Sequence, residues 1–147
     1  MKKLFLGLTL GLVPMLAHAQ ASHAALPPEN TFHANLINNE YEVFMRINFY
    51  EKNVIVPGQE LYGELPGYLG KKNNSFCWVI TAVKLHDDST AELSLINDYG
   101  SEDLKALLTR QNDSIYILKQ LSGSTLKIPK KGKWQKLPKS LELKRKP

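Results

Sequence analysis

FCWVITAVKLH, residues 76–86, decides the fold class. Phe76, Trp78, Ile80, Ala82 and Lys84 alternate with Cys77, Val79, Thr81, Val83 and Leu85. That period of two, carried by β-branched and aromatic residues, is the signature of a strand. Both sides are mostly apolar, which places the strand centrally in its sheet. Downstream, Asp87-Asp88-Ser89 is a turn. Beyond it, Ala91, Leu93 and Leu95 alternate with Glu92 and Ser94, which predicts a half-buried strand ending at Asn97-Asp98-Tyr99-Gly100. Upstream, YEVFMRINFY (41–50) puts Tyr41, Val43, Met45, Ile47 and Phe49 on one face. Short strands are also predicted at 54–56, 61–65, 115–121, 125–128 and 141–143.

Residues 101–111 carry two competing signals. Ser101 followed by Glu102 and Asp103 is a good helix start, and Leu104, Leu107 and Leu108 have helical spacing. Against this, turn residues recur at 87–89, 98–100, 112–114 and 122–124, about every 10 to 13 residues, the rhythm of an antiparallel meander. A strand with Leu104, Ala106 and Leu108 facing the core is the preferred reading over one short helix. The fold class expected is therefore all-β: a small antiparallel meander of about seven to nine short strands, closing as an up-and-down barrel or packing as a sandwich.

The N-terminus has a different character. Met1-Lys2-Lys3 is basic, 4–16 is apolar, and Ala17-His18-Ala19 is a small-x-small cleavage pattern. In that order they read as a secretory signal peptide, 1–19. The apolar run is short of the roughly 20 residues that a spanning helix needs. No cysteine stands at the junction, so no lipid anchor is expected. A periplasmic or secreted protein without a membrane span is predicted. Residues 20–40 contain Pro27-Pro28 and several Asn, and read as a flexible N-terminal segment that becomes ordered near 32–37. A single β domain is expected over 41–147. Cys77 is the only cysteine, so no intramolecular disulfide holds the chain.

Charge is unevenly distributed. Without Lys2 and Lys3, 17 basic residues face 14 acidic ones. Nine of the basic residues fall within 127–147, beside one acid, Glu142. Lys131, Lys133 and Lys136 surround Trp134, a mixture suited to an anionic lipid, an anionic glycan or an acidic protein. The same lysines also suit the solvated face of edge strands. Tyr62 and Tyr68, in a loop rich in Gly and Pro, are candidate recognition aromatics or caps on the end of a barrel. Nucleic acid is not an expected partner of an exported chain.

No catalytic pattern is visible. The histidines lack neighbours at metal-ligand spacing, and no Gly-x-Ser-x-Gly elbow occurs. Cys77 and His86 lie roughly 30 Å apart along one strand. Asp98, Glu102 and Asp103 read as turn acids. No catalytic residue, metal or cofactor is expected. In layout the chain resembles small bacterial lipocalin-type barrels, without their N-terminal Gly-x-Trp; Gly132-Lys133-Trp134 stands near the other end. Two functions fit. One is a non-catalytic exported module that binds a small or anionic envelope ligand, with Tyr62, Tyr68, Lys131, Lys133, Trp134 and Lys136 as the binding residues. The other is an inhibitor or immunity-type protein that binds another protein. The first expects an aromatic-lined pocket; the second expects a filled core and an exposed loop around 62–72.

Overall fold

The computed structural model describes residues 28–147; the signal-peptide reading and residues 20–27 of the N-terminal segment lie outside them. After a short helical turn, α1 (Pro28–Thr31), eight strands form a closed antiparallel barrel. They are β1 (His33–Asn38), β2 (Val43–Asn48), β5 (Gly67–Lys71), β6 (Cys77–Leu85), β7 (Thr90–Asn97), β8 (Asp103–Arg110), β9 (Ile115–Gly123) and β12 (Ser140–Arg145). Each pairs with its predecessor in this list, and β1 closes the ring on β12 through Leu36↔Arg145 and Ile37↔Lys144. The barrel thus opens with β1, ahead of the domain start expected at residue 41. Its alternating Ala34 and Leu36 are interrupted by asparagines, which makes the strand weak in sequence.

Two short hairpins are spliced into the meander. β3 (Val54–Ile55) and β4 (Glu64–Leu65) interrupt the connection between β2 and β5. β10 (Lys127–Lys130) and β11 (Lys133–Lys136) interrupt that between β9 and β12. The ring therefore has a hairpin rim, with the turns at 39–42, 72–76 and 98–102 and the β10–β11 hairpin. The opposite, helix rim carries α1, the turns at 86–89 and 111–114 and the chain end.

The 101–111 segment contains the strand β8 and no helix, because both edges of β8 find partners. Leu104 pairs with Leu95 on one side and with Gly123 on the other. Leu104, Ala106 and Leu108 point inward and are buried. Asn97 Oδ1 accepts from the Ser101 and Glu102 amides at 2.9 and 3.2 Å. Asp87 and Asn112 act in the same way in the turns before and after it, each accepting two backbone amides through Oδ1.

The inward residues pack together across the ring. Leu36, Met45, Ile47, Leu69, Trp78, Ile80, Leu93, Leu95, Leu108 and Tyr116 are buried in one cluster. The parity of β6 breaks at a bulge between Ile80 and Ala82, so Val83 rather than Ala82 packs against that cluster. At the hairpin rim Leu126, Ile128 and Leu137 plug the mouth, and Trp78 Nε1 donates to the Lys127 carbonyl at 3.0 Å. At the helix rim Phe32 stacks on Phe49, 5.3 Å between ring centroids. There the Tyr116 hydroxyl donates to the Thr31 carbonyl at 2.6 Å and accepts from Arg145 Nη1 at 2.9 Å. Both faces of the first half of β6 are covered, because the β3–β4 hairpin folds back onto the outside of the barrel. Val54, Val56, Tyr68, Cys77 and Val79 form a second, outer cluster there. Beside it the Phe44 ring covers Gly70; a Cβ at Gly70 would stand 2.5 Å from that ring.

Tyr116→Phe keeps the packing and orphans a buried carbonyl and one Arg145 bond. The expected loss is about 1–3 kcal/mol. It should appear as a lower urea midpoint with an unchanged slope; an unchanged midpoint would show that the hydroxyl carries none of the rim.

Candidate functional site

With the barrel interior filled, binding chemistry has to be sought on the outside. The β10–β11 hairpin turns tightly at Lys131-Gly132, both at positive φ (50° and 75°). That is the type I′ turn which matches strand twist, and the second position suits glycine. The turn projects Trp134 from the hairpin rim, and the indole is 56% exposed. It is held along one edge by Phe76, 5.1 Å between centroids at 66°. Phe76 also contacts Trp78 below and Tyr99 beside it, each at 6.5 Å. Tyr99, from the β7–β8 turn, is 75% exposed.

Trp134 stands between two open grooves. One, about 520 Å³, is lined by Lys130, Lys131, Lys133 and Gln135. The other, about 280 Å³, is lined by Phe76, Tyr99, Asp98 and Lys133, with Asn74 and Ser75 at its edge. Cross-strand register sets Lys127 opposite Lys136 and Lys130 opposite Lys133. Like charges placed opposite each other are unfavourable. Lys127 is compensated by Glu102 at 3.0 Å. Among the described residues Lys130, Lys131, Lys133 and Lys136 have no ion-pair partner. The hairpin is therefore a preformed cationic surface around an exposed indole.

The six candidate residues divide. Lys131, Lys133 and Trp134 line one groove, and Lys136 shares their hairpin. Tyr62 is half exposed in the helical turn Glu60–Tyr62 at the tip of the β3–β4 hairpin. Tyr68 is 6% exposed beneath that hairpin, edge-on to Phe44 at 5.7 Å. Two residues of the aromatic rim, Phe76 and Tyr99, were not among the candidates. Phe76 reads in sequence as the start of a core strand. Tyr99 had a readable signal, an aromatic inside an Asn-Asp-x-Gly turn.

Reactive groups are quiet at this rim. The Cys77 thiol is pushed up to about 11 by burial, with the Asp98 charge adding to the effect. Its thiolate is scarce at neutral pH. Burial also raises the Asp98 carboxyl, although backbone amides of Cys77, Asp98 and Tyr99 oppose the shift. His86, at the far end of β6 from Cys77, sits against Glu92 at 3.3 Å. Among the described residues no three His, Cys, Asp or Glu side chains are grouped to hold a metal, and no helix is long and apolar enough to cross a membrane.

Compared with known proteins, the chain matches no family model, no curated sequence and no solved structure.

The thiol yields a direct measurement. At pH 8 the native protein should react with a disulfide reagent only as fast as it opens, whereas the urea-unfolded chain reacts at once. Fast reaction of native protein would place Cys77 at the surface.

Proposed function

We propose that this protein is an exported, non-catalytic binding module that takes an anionic envelope ligand on the outside of its barrel, at the Trp134 hairpin. The observation that carries this reading is the pairing of a packed interior with an exposed indole among four lysines that lack acidic partners. An aromatic-lined calyx is not where the ligand sits; the sugar, lipid or peptide stacks on Trp134 while its acidic groups meet Lys131, Lys133 and Lys136. Anion binding also relieves the lysine–lysine repulsion built into the hairpin, which favours the bound state.

Trp134 is the exposed one of the two tryptophans, so its fluorescence reports directly on the site. Titration with heparin, and separately with phosphatidylglycerol vesicles, should give a saturable change that weakens as salt rises. Lys131→Glu, Lys133→Glu and Lys136→Glu combined should weaken binding by roughly 100-fold or more, given about 1 kcal/mol per cation near an anionic surface. Unchanged binding in the triple variant would overturn the reading.

A second reading, an inhibitor-type protein with a protein partner, has its own observation. The tip of the β3–β4 hairpin presents a fully exposed Leu61 beside Tyr62, with Ile55 half exposed on the same hairpin. The loop is stiffened locally: the Glu60 carboxylate accepts from the Gly58 amide at 2.9 Å, and the hairpin base is anchored in the outer cluster. A stiff, convex, apolar tip suits a concave protein site. Native mass spectrometry of protein taken gently from its host envelope would show a stoichiometric partner that Leu61→Asp removes. A partner retained by Leu61→Asp, or a bare monomer in both, would count against this reading.

A further inference from the structure

A concavity with a mostly polar lining lies away from the Trp134 hairpin, on the barrel wall near the helix rim. It is about 520 Å³ and is formed by β1, β2, the β3 strand and the end of the chain. Its cationic lining comes from Arg46, Arg145 and Lys146, and further polar groups come from His33, Asn35 and Asn53. No Asp or Glu lines it.

Strand register explains why these groups meet. Asn35 on β1 pairs with Arg46 on β2, and the Asn35 carbonyl accepts the Lys146 backbone amide at 2.8 Å. The inward alternation of Ala34 and Leu36 on β1, and of Met45 and Ile47 on β2, turns Asn35 and Arg46 outward together. One row across three strands thus carries an amide flanked by two cations. His33 follows one step along the same outer face of β1. Asn53 walls the site from the inserted hairpin; its amide nitrogen donates to Glu51 at 2.8 Å, and Glu51 itself does not line the pocket.

The charge here is unmatched, as it is on the Trp134 hairpin. Lys71, Lys105, Arg110 and Lys127 each have a carboxylate partner. Among the described residues Arg46, Arg145 and Lys146 have none. Arg145 is nevertheless rigid: its guanidinium donates to the carbonyls of Asn30 and His33 at 3.0 and 3.1 Å and to the Tyr116 hydroxyl. Those acceptors fix its position without neutralising it. Arg46 is exposed, and its guanidinium fork has no hydrogen-bond partner among the described residues.

A fixed cation, a free guanidinium fork, an ammonium and two amides, with no acidic side chain in the lining, are complementary to a compact oxyanion. We propose that this pocket is a second binding site, separate from the Trp134 hairpin, which takes a phosphate group, either free or as a monoester. Arg46 grips two of its oxygens, Lys146 and Asn35 take a third, and Arg145 supplies the field from below.

The test uses ¹⁵N-labelled protein titrated with inorganic phosphate, with glycerol 3-phosphate, and with sodium chloride at matched ionic strength. Both phosphates should give saturable shifts centred on the amides of Asn35, Arg46 and Asn53, which chloride does not reproduce. Inorganic phosphate binding at least as tightly as the ester would identify a free-anion site; tighter binding of the ester would identify a headgroup-type ligand. Arg46→Gln should weaken phosphate by roughly 10- to 100-fold, the worth of a charge-assisted bidentate contact. Arg46→Lys should fall between, since it keeps the charge and loses the fork. Lys133→Gln, on the other rim, should leave the affinity unchanged. Shifts that fail to saturate, that chloride matches, or that Arg46→Gln leaves intact with its spectrum still dispersed would overturn the proposal.

Discussion

A ring of eight strands encloses a space about as wide as the side chains that line it. This constraint governs everything else in the molecule. Trp78, Tyr116, Met45 and a set of leucines fill the lumen, and the two mouths must then be sealed by whatever the connections offer. The β10–β11 hairpin supplies Leu126, Ile128 and Leu137 at one mouth and is fastened by the Trp78–Lys127 hydrogen bond. The turn α1 and the residues after it seal the other through Phe32 and the Thr31–Tyr116–Arg145 chain. With the lumen packed in this way, the surfaces proposed for binding lie on the outside of the barrel.

The same sealing elements create the candidate sites. A hairpin that docks its apolar face as a plug must turn its other face to water, and that face holds the lysines and Trp134. On the opposite rim, Arg145 follows the inward parity of Leu141 and Leu143 and ends at the mouth. There it is stabilised by neutral acceptors, which leaves its charge to act on the adjacent wall. Both surfaces are cationic, yet they differ in kind. The hairpin is an open, aromatic, repulsive patch suited to an extended anion. The wall pocket is compact, amide-lined and partly pinned, and it suits a small one.

The outer cluster under the β3–β4 hairpin shows how an insertion changes the meaning of a residue. Tyr68 reads in sequence as a loop aromatic, either open to a partner or capping the end of a barrel. In the barrel it lies on β5, paired with Val79, and Val54 and Val56 cover it. The insertion also helps to bury Cys77, and that burial raises its thiol. Tyr62 and Leu61 are carried outward by the same insertion, so one hairpin buries one tyrosine and exposes another.

By itself the sequence determined the strand periods of 41–50, 76–80 and 91–95, the turn at each Asp or Asn between strands, and the cationic character of 127–147. These are local matters: side-chain alternation follows from backbone geometry, and turn residues satisfy amides a few positions away. It also tilted 101–111 towards strand through the rhythm of its turns, against a helical start signal that is equally local. What only the tertiary structure decided was closure, parity after the β6 bulge, and the meeting of distant residues. The pairing of β1 with β12 joins segments more than 100 residues apart, and no local pattern encodes a partner at that distance. The Arg46, Asn35 and Lys146 row exists only because three strands fall into one register, and its sequence signal is three unremarkable polar residues. Burial of Tyr68 and exposure of Tyr99 were likewise set by which neighbours the fold brought over them.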